Sequence, residues 1–301
     1  MTVFDPARGR LFVAPPDEGP GSWAGAPGAY RDGDELLVTY RLRRPQPTRG
    51  YELRIGAVRG DRLVDVARLT KAQLRAESIE RAALARIADK WSLFFGYVAA
   101  EDRKWRVGVI EARSVDAFDA RDVRTVLHPD AIGMAAVKDP WLRRVGDRWW
   151  MFVSCGRAVR DTAFHSSGDA LSTGAVRSET GLATSADGVA WDWAGIVLGA
   201  SDRGWDRSTS RLTAAMRDGS GWVGYYDGAA SLAENYEERC GIARSADLRT
   251  WERESVDGPA IGTASGPGGV RYVSATDRGD FFWEHTCADG SHELRGIVAG
   301  R

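Results

Sequence analysis

Hydrophobic and polar positions along the chain follow one recurring scheme: an apolar strand, a short Asp/Gly turn, then an aromatic-rich strand. The scheme appears at Ala26–Tyr40 (APGAYRDGDELLVTY), Ala83–Tyr97 (ALARIADKWSLFFGY) and Pro140–Ser154 (PWLRRVGDRWWMFVS). It returns at Leu212–Tyr226 (LTAAMRDGSGWVGYY) and Val270–Glu284 (VRYVSATDRGDFFWE). Each copy predicts a β-hairpin, with β-forming residues on both arms and turn formers between them. The turns begin near Asp32, Asp89, Gly146, Asp218 and Asp277, about 57, 57, 72 and 59 residues apart. A second repeat follows the hairpins: GLATSADGVAWDW at Gly181–Trp193 and GIARSADLRTWER at Gly241–Arg253. This strand–Ser-Ala-Asp–turn–Trp segment predicts an outer hairpin, with weaker versions at Arg54–Val66 and Arg106–Phe118.

Four strands per unit and five units predict an all-β, five-bladed β-propeller with antiparallel blades around a central channel, one domain over residues 1–301. The fifth unit has no complete outer hairpin of its own, and Arg10–Ala14 (RLFVA) is expected to supply its missing strand. Ala72–Ala88 contains helix formers but reads as a linker plus a strand. The third unit is longer than the others, and its excess is the polar Cys155–Glu179 segment, a loop expected to shape the mouth with Asp161 and His165.

Composition narrows the function. The 301 residues carry 41 Lys+Arg against 42 Asp+Glu, a formal charge of −1, which provides no footprint for nucleic acid or an anionic membrane. The longest apolar runs, such as Trp149–Cys155, fall far short of the roughly 18 residues of a membrane span. The start at Met1–Asp5 lacks a basic and an apolar region, so the expected location is cytoplasmic. Three cysteines (Cys155, Cys240, Cys287) are too few and odd in number for a disulfide framework. The 12 Trp and 35 Gly fit aromatic-lined surfaces and many tight turns.

In a propeller, the start of each first strand and the end of each second strand share one face. That rule collects Glu80, Asp139, Asp206, Asp227 and Glu284 around one mouth. Arg41, Arg81, Arg207 and Arg211 are interleaved with them, and Trp23 and Tyr97 stand at the rim. Asp227–Glu238 emerges on the same face and adds Glu238. Carboxylates converging in an aromatic-rimmed pocket suit general acid/base work on a polyhydroxylated ligand. Single acids of this kind are also common as turn or ion-pair residues. Gly266–Gly269 lacks the strand–turn–helix setting of a dinucleotide site, and His285, Cys287 and His292 match no zinc spacing. No metal and no cofactor is expected.

These residues resemble the five-bladed propeller glycosidases of glycoside hydrolase families 43, 32 and 68. The likeness is sharpest at Val137–Pro140 (VKDP), similar to the Asp-Pro motif where those families place a stabilising or pKa-modulating aspartate. Glu80-Arg81, Trp205-Asp206, Tyr226–Gly228, Asn235–Glu238 and Gly269–Val273 also resemble recurring elements of a divergent branch. Those families take a base or nucleophile from the first blade. Here the equivalent stretch, Trp23-Ala24-Gly25-Ala26-Pro27, has no acid.

The resemblance implies a glycosidase-like hydrolase acting on a small glycoside or oligosaccharide. Glu80 would be the proton donor, Asp139 the orienting acid, and Asp227 or Asp206 the partner. Arg81, Arg207 and Arg211 would tune these acids or hold an anionic group. Trp23, Arg41, Tyr97, His165, Glu238 and Glu284 would complete the substrate surface. Two alternatives are a non-hydrolytic biosynthetic cyclase, isomerase or lyase on the same scaffold, and a non-catalytic sugar-binding propeller.

Overall fold

The computed structural model describes residues 4–157, 170–172, 176–264 and 267–300. After strand β1 (Arg10–Val13) the chain builds four-stranded antiparallel units in sequence order. Unit I holds β2 (Trp23–Asp32), β3 (Glu35–Arg44), β4 (Arg49–Arg59) and β5 (Arg62–Thr70). Unit II holds β6 (Ala76–Ile87), β7 (Lys90–Ala99), β8 (Trp105–Ala112) and β9 (Arg124–Leu127). Unit III holds β10 (Met134–Val145), β11 (Arg148–Arg157), β12 (Glu179–Ser185) and β13 (Asp192–Leu198). Unit IV holds β14 (Thr209–Asp218), β15 (Gly221–Ala229), β16 (Arg239–Ser245) and the two-residue β17 (Glu252–Arg253). Unit V holds β18 (Val270–Ala275), β19 (Phe281–Thr286) and β20 (His292–Ile297), and β1 pairs with β20 as its fourth strand. The expected closure by the N-terminal segment is present, and the segment before β6 is a linker and not a helix.

The units form a closed propeller. Strand β2 packs on β6, β6 on β10, β11 on β14, β14 on β18 and β18 back on β2. Burial explains the composition: β7, β11 and β15 are almost wholly buried between neighbouring sheets, whereas outer β5 is mostly exposed. Side chains stitch adjacent units. Thr39 Oγ1 donates to Ala82 O at 2.7 Å, and Thr180 Oγ1 to Ser210 O at 2.8 Å. Among the described residues no helix is long and apolar enough to cross a membrane.

The Ser-Ala-Asp repeats are turn devices. Ser185 Oγ accepts from Gly188 N, Asp187 Oδ1 accepts from Val189 N and Ala190 N, and Trp191 Nε1 donates to Gly188 O. Ser245, Asp247 and Trp251 repeat the pattern on Leu248, Arg249 and Thr250. The outer hairpin expected at Arg106–Phe118 is corrected. After β8 the chain makes two short 3-10 turns, and its partner β9 begins only at Arg124. The reason is apolar: Val115, Phe118 and Val123 pack against the core cluster shared by units I and II.

Every first strand carries a bulge at the same level. In four units two residues oppose one: Ala26-Pro27, Glu80-Arg81, Asp139-Pro140 and Tyr272-Val273. Unit IV instead inserts Thr213. Such bulges re-aim side chains. Ala26, Asp139 and Tyr272 sit at φ 51°, 56° and 52°, a left-handed conformation costing of order 1–3 kcal/mol for a residue with a Cβ. At the unit I bulge, Glu284 of β19 reaches across and its Oε2 accepts from Ala26 N at 2.8 Å. A Cβ on Gly25 would come within 2.1 Å of that oxygen.

Gly25→Ala is therefore expected to destabilise the fold by about 1–3 kcal/mol in denaturant unfolding, the usual cost of overpacking. Gly258→Ala, where an added Cβ meets nothing within 4 Å, serves as the neutral control. Equal stability of the two variants would contradict this closure.

Candidate functional site

The bulges and the ends of the second strands deliver charged side chains to one end of the axis, where they form an alternating ring. Arg41 Nε lies 2.8 Å from Glu80 Oε2, and its Nη2 lies 3.3 Å from Glu284 Oε2. Arg271 Nε continues the ring, 3.7 Å from Glu284 Oε1 and 3.1 Å from Glu238 Oε2. Arg211 Nη2 lies 3.3 Å from Glu238 Oε1 and 2.7 Å from Asp227 Oδ2, while its Nη1 is 3.6 Å from Asp139 Oδ2. Lys138 Nζ stands 3.5 Å from Asp139 Oδ2 and acts electrostatically on Glu80, closing the circle. Arg43 Nη1 adds a second cation to Glu80 at 3.3 Å.

Aromatic side chains lock this ring. The guanidinium carbons of Arg211 and Arg271 lie 4.3 and 4.8 Å from the Tyr272 ring centre. The Tyr272 hydroxyl donates to Asp139 Oδ2 at 3.3 Å, and its backbone N–H donates to Asp227 Oδ1 at 2.9 Å. Trp23 stacks on His292 with centroids 4.7 Å apart, and the Arg43 guanidinium lies 4.5 Å from its ring. His292 Nδ1 donates to Glu284 Oε1 at 2.6 Å.

Burial and neighbours push the acids apart. Burial alone would raise the Glu80 pKa, but Arg41, Lys138 and Arg43 overcome it and hold it at about 2. Glu284 is likewise held below its ordinary value against burial, by Arg41 and Arg271. Glu238 is lowered against burial by Arg271 and Arg211. Asp227 goes the other way. Burial pushes it up to about 6, with the Glu238 charge adding to the shift and Arg211 opposing it. Burial also lifts the Tyr272 phenol to about 12 and lowers Arg81 to about 10.

Above the ring lies a narrow cavity of about 20 Å³, space for one or two waters. Its walls include Glu80, Lys138, Arg211, Glu238, Arg271 and Tyr272, with Trp23 and Tyr236 on the rim side. Glu80 and Glu238 are the two carboxylates in the wall. Asp139 and Asp227 are buried behind it. Tyr236 sits at φ 81°, its carbonyl accepting from Arg271 Nη1 at 2.8 Å and its ring 4.9 Å from Trp23. The arrangement offers ionised carboxylates, a protonated phenol and several cations around one small volume.

Nine of the residues expected at the mouth come together here: Glu80, Asp139, Asp227, Trp23, Arg41, Arg81, Arg211, Glu238 and Glu284. Arg81 lies behind the ring, its Nε donating to Pro27 O at 3.0 Å. Three do not join. Asp206 is turned to Arg253 of the outermost strand β17, at 2.6 Å, with the Ser201 and Ser210 hydroxyls filling its remaining positions. Tyr97 points outward, its hydroxyl 3.3 Å from Thr125 of β9, because it packs with Phe95 in the core cluster of units I and II. Arg207 is exposed and donates to Gly204 O at 3.1 Å. Asp161 and His165 lie outside the described residues. Cys155 is a buried thiol whose pKa burial pushes up, which leaves it unsuited to nucleophilic work.

The strand rule also puts Lys138 and Arg43 at this mouth, though sequence reasoning gave them no role, and it missed Arg271, Tyr272, Tyr236 and His292 as site residues. A signal existed for two of them: Arg271-Tyr272 occupies in unit V the bulge position that Lys138-Asp139 occupies in unit III.

No family model and no curated protein matches this chain. Solved structures do. A protein described as "Glycoside hydrolase" superposes with a TM-score of 0.71 at 16% identity, covering 97% of this chain and 91% of that one. A GH43_1 enzyme from Xanthomonas citri complexed with xylotriose superposes with a TM-score of 0.62 at 12% identity, covering 95% and 89%. The β-1,2-mannobiose phosphorylase from Listeria innocua gives 0.57 at 14%, covering 94% and 91%. The chain thus has the propeller fold of the family 43-type glycoside hydrolases, at 16% sequence identity or less to the structures named.

Proposed function

We propose that the protein is a glycoside-processing enzyme whose active site is the cavity over the charge ring. The observation that carries this reading is Glu80. It stands in the cavity wall, fixed by two guanidinium groups and held ionised with a pKa of about 2. A carboxylate so held accepts protons poorly in bulk, yet it orients and polarises a water or substrate hydroxyl and stabilises positive charge at an anomeric carbon. It is unsuited to the proton-donor role that the family resemblance first implied. Tyr272 has a proton to share: its hydroxyl is protonated, faces Asp139 and belongs to the cavity wall. In this reading the Tyr272 hydroxyl turns its single proton from Asp139 Oδ2 to the departing oxygen when substrate binds. Glu238, the second carboxylate of the wall, holds substrate hydroxyls.

The cavity is far smaller than the roughly 300 Å³ of a small-ligand pocket. Substrate binding therefore goes with displacement of Tyr236, which gives up its contacts with Arg271 and Trp23 and relieves its left-handed backbone. A second reading, a non-hydrolytic reaction on the same scaffold, is favoured by Ala26. It occupies in unit I the X-Pro bulge that Asp139 occupies in unit III, so unit I contributes no acid.

The test is a panel of aryl-glycosides and natural oligosaccharides. Glu80→Gln should lower kcat/KM at least about 100-fold, in line with loss of one positioned carboxylate. The exposed Arg207→Ala should leave it unchanged. Glu80→Asp, which keeps the charge, separates a catalytic loss from misfolding, and full activity in folded Glu80→Gln would sink the assignment.

Asp227 generates a separate expectation. Its folded pKa of about 6 lies above the ordinary 3.8, so the folded state binds more protons between these values. Its contribution to stability is complete at about pH 4 and is lost as pH rises through about 6. Denaturant unfolding across pH 4–7 should show a steeper loss for the wild type than for Asp227→Asn. Parallel curves would contradict it.

A further inference from the structure

Resting on the reading of the cavity as a sugar site, we infer that its ligand carries an oxyanion, a carboxylate or phosphate, received by Lys138, Arg211 and Arg271. These three cations come from units III, IV and V, and all three belong to the cavity wall. Arg211 and Arg271 are held in place by the Tyr272 ring, and Lys138 Nζ by the Trp105 ring at 4.8 Å. They are positioned before any ligand arrives, which spares the entropy of ordering three long side chains.

The charge balance asks for one more anion. Six cations are enclosed around the ring: Arg41, Arg43, Arg81, Lys138, Arg211 and Arg271. Five carboxylates face them: Glu80, Asp139, Asp227, Glu238 and Glu284. Glu237 stands at the rim, its Oε2 accepting from the Thr286 hydroxyl at 3.0 Å and its Oε1 3.6 Å from His292 Nε2. It does not reach the six cations through any ion pair among the described residues.

Hydrogen bonding shows the same deficit. Among the described residues, buried Arg41 Nη1, Arg43 Nε and Arg81 Nη1 have no hydrogen-bond acceptor, while Arg41 Nη2 and Arg271 Nε face Glu284 Oε2 and Glu238 Oε2 at 3.3 and 3.1 Å without hydrogen-bond alignment. Arg41 and Arg271 are 0% and 2% exposed, and Arg271 lies in the cavity wall. Among the ring carboxylates only Asp139 Oδ1 is left without a facing donor, since Glu238 Oε2 faces Arg271 Nε. Buried donors of a cation left unpaired are costly, and an oxyanion offers several acceptor positions at once. A neutral sugar satisfies some donors and leaves the charge surplus, and a cationic ligand increases it.

Calorimetry on the wild-type chain with glucuronate, galacturonate, inorganic phosphate and glucose tests this. At least one anion should bind 10-fold or more tightly than glucose, and its affinity should fall several-fold between about 50 and 300 mM salt. Lys138→Met should weaken it at least 10-fold, and Lys138→Arg should retain most of it. Uronate binding without phosphate binding assigns the oxyanion to the sugar itself. Phosphate binding without uronate binding assigns it to a free co-substrate. Glucose binding as tightly as either anion, or no anion binding to the folded wild type at millimolar concentration, overturns the inference. Turnover of neutral glycosides with no anion binding leaves the proposed function standing without it. Anion binding with no turnover of any glycoside does the reverse.

Discussion

Everything at the axis end depends on keeping charged groups in alternation where water is scarce. A buried arginine or carboxylate alone costs several kcal/mol, and removing one partner of a buried pair is strongly destabilising. The ring from Glu80 through Arg41, Glu284, Arg271, Glu238, Arg211 and Asp139 to Lys138 places unlike charges beside one another at each step. No member can be exchanged without leaving a neighbour uncompensated. This ring spreads over all five units, so it is also a fastening for the circle of sheets.

The scaffold serves the ring through a single repeated irregularity. A bulge in each first strand turns a side chain toward the axis, and each unit uses the position differently: Glu80-Arg81, Asp139-Pro140, Tyr272-Val273, Thr213, and Ala26-Pro27. Where unit I offers only a methyl group, Glu284 of unit V moves its carboxylate into the gap and bonds the Ala26 amide. Chemistry has been redistributed among units while the backbone pattern stayed constant. This explains how the chain keeps one strand pattern through all its units although unit I contributes no acid at its bulge.

Much of the architecture was legible because it rests on local rules. Hairpins announce themselves by turn residues between β-forming arms, and the Ser-Ala-Asp turns repeat both as letters and as hydrogen bonds. The outer hairpin of unit II was misplaced because Phe118 takes part in a core that a linear pattern does not display. At the site, proximity followed from topology and brought Glu80, Asp139, Asp227, Glu238 and Glu284 to one end. Direction did not follow. Whether Tyr97 or Asp206 faces the axis depends on bulge phase and on partners such as Arg253, distant in sequence. Protonation was equally illegible, since Glu80 and Asp227 differ by which cations reach them.

The ring holds Glu80 ionised across the pH range in which Asp227 takes up a proton. Carboxyl carbon NMR of labelled protein, titrated from pH 4 to pH 8 and assigned with Glu80→Gln and Asp227→Asn, reads this directly. A flat Glu80 signal across the range and an Asp227 signal that moves near pH 6 are expected. A Glu80 signal titrating between pH 5 and 7, with Asp227 flat, would contradict it and return Glu80 to the role of proton donor.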